Sequence, residues 1–142
     1  MYQILRSAHS GWRYLVLILL VIALIQAISG LLGKKSYTEG NRKINLFTLI
    51  FTHIQILIGL VLYFISPLVE GGVRYWKMEH ISMMILAGIL VTIGNAKSKK
   101  GTSDVSKHKT IALYFGLALL VIVAAIILMT KADPSRSFFG IS

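Results

Sequence analysis

Four apolar runs, each close to the length of a membrane crossing, leave this chain few folds to adopt. They extend from about Trp12 to Leu32, Ile44 to Ile65, Met78 to Gly94 and Thr110 to Thr130. Roughly 20 residues rising ~1.5 Å each cross the hydrocarbon of a bilayer. Within lipid a helix satisfies every backbone N–H and C=O from inside the segment. A chain of 142 residues that is 56% hydrophobic and 14% charged is too apolar for an ordinary soluble domain. The expectation is an all-α integral membrane protein, one four-helix transmembrane domain over residues 1–142. The first run exceeds the apolar core of a secretory signal and is followed by no convincing small-x-small cleavage site, so it reads as a retained span.

The connections set the expected orientation. The first and third hold Lys34, Lys35, Arg42, Lys43, Lys97, Lys99, Lys100, Lys107 and Lys109, whereas the middle one holds only Arg74 and Lys77. Basic loops stay cytoplasmic, which puts the middle connection and both termini on the periplasmic side. Short connections make successive helices antiparallel neighbours, giving an up-down-up-down bundle. The net charge of +10 is explained by these loops facing anionic lipid and does not point to nucleic acid. Between Tyr2 and Tyr14 polar and aromatic residues mix, an interfacial composition in which Trp12 and Tyr14 sit at headgroup level while Arg6 and Arg13 reach water or phosphate. Both basic loops lead into apolar helices, so Thr38–Phe51 faintly resembles Thr102–Phe115, a hint of two repeated hairpins.

Four histidines carry the chemical interest. His53 lies about midway along the second run, where an ionisable group is expensive unless it is paired, hydrated or bound. Counting residues from the cytoplasmic ends puts His53 about 14 Å, His80 about 21 Å and His9 about 34 Å up, so His53 with His80 is the expected pair and His9 with His80 the next. His108, between Lys107 and Lys109, reads as a solvated loop residue. Two imidazoles facing across a bundle are what a low-spin haem iron requires, each offering a neutral nitrogen along the axial direction. Gly59 and Gly88 would leave space for a flat macrocycle or a close helix approach, Met83, Met84, Phe51 and Phe64 would wall it, and Arg6, Arg13 and Arg74 are cations available to propionates. A plainer reading stands beside this one: His53 can hydrogen-bond a neighbouring carbonyl or Ser/Thr, and His80 and His9 can be interfacial. With no cysteine in the chain, disulfides, thiolate-held iron–sulfur clusters and covalent haem attachment are excluded.

The stretches Ala8-His9-Ser10-Gly11-Trp12-Arg13, Phe51-Thr52-His53-Ile54-Gln55, Glu79-His80-Ile81-Ser82-Met83-Met84 and Gly94-Asn95-Ala96-Lys97-Ser98-Lys99-Lys100 resemble those of short four-span bacterial proteins described as cytochrome b-like, of a Bacteroidota type. The resemblance covers nearly the whole chain. It implies a multi-pass protein of the bacterial inner membrane and a b-type haem with His53, His80 and His9 in the ligand positions. The corresponding function is a membrane electron carrier exchanging electrons with quinol or a partner subunit. A haem-free accessory or assembly subunit of a larger membrane complex is the competing expectation, because the fourth run is apolar on all sides, with other membrane subunits or a second copy of the chain in a homo-oligomer as partners. A third reading is a small transporter or quinone-site protein using His53 as a proton relay, against which stands the scarcity of acids in the spans. Catalysis by the chain alone is not expected: no nucleophile–base constellation is visible, and Glu39, Glu70, Glu79, Asp104 and Asp133 all fall at or outside the interfaces.

Overall fold

A computed structural model of the chain describes residues 2–65 and 80–132, and all of the regular structure in them is helical. The helices are α1 (Tyr2–Leu32), α2 (Glu39–Ile65), α3 (His80–Lys99) and α4 (Asp104–Ala132). All four are long and apolar enough to cross a membrane, the property of a multi-pass membrane protein. Each helix outruns the apolar segment that marked it. The polar opening of α1 is helical from Tyr2, α2 begins at Glu39 rather than Ile44, and α4 begins at Asp104 rather than Thr110.

Local chemistry explains those extensions. The Thr38 hydroxyl accepts from the Asn41 N–H at 3.2 Å while Asn41 Oδ1 accepts from the Thr38 N–H at 2.9 Å, a reciprocal cap that starts α2 six residues after α1 ends. Ser103 Oγ accepts from the Ser106 N–H at 3.1 Å and starts α4 in the same way. At the end of α1, the Lys35 N–H returns to the Gly30 carbonyl at 2.9 Å, with Lys34 in the left-handed region at φ 50°. That is a Schellman stop with lysine where glycine is usual.

The helices form a bundle in which α1 packs on α2 and α4, and α3 packs on α2 and α4, leaving α1 and α3 facing across a diagonal. Contacts fix the registers. Trp12 Nε1 donates to the Phe51 carbonyl at 2.9 Å, and Gln55 Nε2 donates to the His9 carbonyl at 2.7 Å, so α2 is climbed as α1 is descended. Trp12 therefore turns toward α2, stacked on Phe51 at 4.8 Å between ring centres. The Phe51 carbonyl supplies the acceptor that the indole N–H would otherwise have to find in water.

The buried face of α4 is apolar, with Ile111, Phe115, Ala118, Ile122 and Ala125, and it meets Val16, Leu20, Ala23 and Ala27 of α1 and Ala87 and Val91 of α3. The buried face of α2 is polar: Asn45, Thr48 and Thr52. Their hydroxyls are satisfied within the helix, Thr48 donating to the Ile44 carbonyl at 2.8 Å and Thr52 to the Thr48 carbonyl at 2.7 Å. Large apolar side chains such as Ile18, Ile25, Leu57, Leu113 and Leu120 are instead exposed on the bundle's outside, the distribution a lipid solvent permits.

Candidate cofactor site

Three of the four histidines lie on the buried stripes of their helices. On α1 the stripe runs through His9, Arg13, Val16, Leu20, Ala23, Ala27 and Gly30, and on α3 through His80, Met84, Ala87, Val91, Gly94 and Ser98, both at alternating steps of three and four. The stripes bring His9 and His80 together across the diagonal, with ring centres 6.0 Å apart and planes inclined at 79°. The Gln55 side chain holds the His9 carbonyl, and a Cβ on Gly59 would meet His9 Cε1 at 3.1 Å, so glycine there makes room for the ring.

Beside this pair is a cavity of about 70 Å³ whose lining includes the polar His9, Ser10, Arg13, Thr52, Gln55 and His80 and the apolar Met84, Ala87, Ile122, Ala125 and Met129. Gln55 Oε1 is buried with no hydrogen bond, its amide nitrogen being taken by His9, which leaves an acceptor in the cavity wall. Arg13 reaches the Tyr14 hydroxyl at 3.2 Å and lies 5.0 Å from its ring centre.

The expected pairing of His53 with His80 is not formed. His53 faces outward and its Nε2 is 2.9 Å from the Thr92 hydroxyl of α3, twelve residues from His80, or about 18 Å along the helix. Counting heights presumed that the helices end in one plane. The basic end of α2 is tied to α1 and that of α3 to α4, each by a short loop, and those loops do not require the two ends to be level. His108 is not a loop residue either: it is 2% exposed, in the second turn of α4. Its Nε2–H donates to the Lys35 carbonyl at 3.2 Å, Tyr37 lies edge-on to it at 5.3 Å, and its ring rests directly on Gly30.

Other expected wall residues divide similarly. Met84 lines the cavity and Phe51 is taken by Trp12, while Phe64 is 76% exposed and the space at Gly88 is filled by the Ile56 side chain. Arg74 and Glu79 lie outside the described residues.

The 6.0 Å between the His9 and His80 ring centres is close to the roughly 6 Å that two imidazoles sharing one iron would have with metal–nitrogen bonds of about 2 Å. Among the described residues no three His, Cys, Asp or Glu come together as a metal-holding group. The cavity at about 70 Å³ is smaller than the roughly 300–1,000 Å³ of sites for larger ligands. A macrocycle therefore enters only if Met84 and Met129, unbranched and adaptable, move aside. No family model, characterised protein or solved structure matches the chain.

Proposed function

We propose that this is a b-type cytochrome-like membrane protein that binds haem non-covalently and carries electrons to or from quinol or a partner subunit. The observation that carries the reading is the approach of His9 and His80 to 6.0 Å across the bundle diagonal, beside a cavity that both of them line. In it His9 and His80 are the axial ligands, Arg13 is the cation for a propionate, and Gln55 with Gly59 fixes where the His9 ring stands. Bound there, haem would supply one-electron redox chemistry, its potential tuned by the two imidazoles and by the side chains around them. The role of the chain is to hold the rings, keep the site dry on the Met84 and Ile122 side, and present a cation on the other.

The helices alternate up-down-up-down in this reading, in a bacterial inner membrane, with both basic loops cytoplasmic and both termini periplasmic. Two observations support it: paired residues run in opposite order on adjacent helices, and the loops meet at one end, where the His108 and Lys107 side chains reach Lys35 and Tyr37.

Absorbance of the purified protein is the test. The expected result is a Soret band and an alpha band that sharpens with dithionite, lost in His9→Ala and in His80→Ala and retained in His53→Ala. Protein that stays colourless after expression with added haem, and copurifies stoichiometrically with a larger membrane complex, overturns the carrier reading in favour of an accessory subunit.

A further inference from the structure

His53 stands apart from the other histidines. It is the fifteenth residue of the 27-residue α2, hence at mid-helix, and α2 buries Asn45, Thr48 and Thr52 while turning His53 out between the exposed Ile50 and Leu57. An ionisable side chain facing hydrocarbon at that depth is disfavoured unless its polar atoms are satisfied. Only one of them is. The Thr92 hydroxyl donates its single proton to the Gly88 carbonyl at 2.7 Å, so toward His53 Nε2, 2.9 Å away, it can only accept. Nε2 therefore carries the hydrogen. A neutral imidazole has one N–H, which makes Nδ1 a bare acceptor, and among the described residues no hydrogen bond reaches it.

We propose that the α2–α3 face around His53 is a binding site for a lipid-soluble hydroquinone, whose hydroxyl donates to Nδ1. The occupant must bring an O–H or N–H donor to mid-membrane depth, and its body must be at home in hydrocarbon against Ile50, Leu57 and Ile89, all exposed on this face. A ring with phenolic hydroxyls meets both demands. The oxidised quinone does not, because its carbonyls only accept. A second copy of the chain fails as well. Two-fold symmetry would present the same face to itself, where the Thr92 proton and the His53 N–H are both taken and the neighbours are apolar. This inference rests on the membrane placement of α2 and α3 and does not require haem.

The test uses the full chain in phosphatidylcholine nanodiscs, titrated anaerobically with duroquinol and with duroquinone. Duroquinol is expected to bind about tenfold more tightly than duroquinone, the worth of one hydrogen bond made in an apolar setting. In His53→Phe the two should bind alike. Thr92→Val should narrow the difference, because it releases the Nε2 proton and lets the ring offer an N–H outward. In the wild-type protein carrying 15N-histidine, the Nδ1 resonance of His53 should move with duroquinol and not with duroquinone, a readout independent of whether the phenylalanine variant folds. Equal affinity for both forms in the wild type overturns the proposal, as does undiminished duroquinol binding by His53→Phe. So does an Nδ1 resonance that ignores duroquinol and moves with the protein-to-lipid ratio, which would assign the face to another polypeptide. A colourless preparation leaves these readings intact, so failure of the haem proposal is distinguishable from failure of this one.

Discussion

Lys34 and Gly30 are the positions where one residue's backbone or size decides the local structure. Lys34 ends α1 at φ 50°, a conformation that costs an L-residue with a Cβ about 1 kcal/mol and a glycine almost nothing. Lys34→Gly is expected to raise stability by about 0.5–1 kcal/mol, read as a higher thermal midpoint in detergent. Gly30 is the reverse case, since a Cβ there would run into the imidazole of His108. Gly30→Ala should destabilise by about 1–3 kcal/mol. Because the clash is with one ring, adding His108→Ala should recover part of that loss, and the double-mutant cycle should give a clear coupling energy. Simple additivity of the two changes would contradict the direct contact.

Among the elements, α3 and α4 are in close contact where Gly94 faces Tyr114, whose Cβ would be 2.6 Å from an added methyl, with Phe115 at 3.4 Å. The nearest atom belongs to the stem of a side chain and cannot swing away. Gly94→Ala should therefore push the pair apart at a cost of about 1–3 kcal/mol, measured as a lower unfolding midpoint, with little change expected for the open position Gly11→Ala. Among the described residues, the existence and number of the helices were legible from the apolar runs, because a lipid solvent makes length and composition decisive. Their polar ends were not, since hydropathy is blind to the Thr38 and Ser103 caps. His9 with His80 was legible as the second choice. The displaced first choice, His53 with His80, had a signal against it: Asn45, Thr48, Thr52, Gln55 and Gly59 mark a polar and small stripe along the second run, and His53 stands one residue, about 100° of turn, from it. The same reasoning places His108 inside, on the stripe with Ile111, Phe115 and Ala118, where flanking lysines suggested solvent.

For the whole molecule, the bundle gathers the two basic loops at one end and leaves His9 and His80 toward the other. The chain contains no cysteine, so single cysteines report topology without background. In intact cells Gln3→Cys should react with an impermeant maleimide, and Lys100→Cys should react only after permeabilisation. The opposite pattern would invert the bundle and remove the periplasmic assignment of the termini. The length of α1 has a consequence for the histidine pair. At 31 residues it is about 46 Å long, well beyond a hydrocarbon thickness of about 30 Å, and His9 is five residues past Tyr14 on the overhanging side. In the proposed membrane placement the two rings would stand near the rim of the oil, where protons, chelators and small reductants dissolved in the aqueous phase could approach them. His53, at the depth of the acyl chains in the same placement, would answer only to what the membrane itself carries.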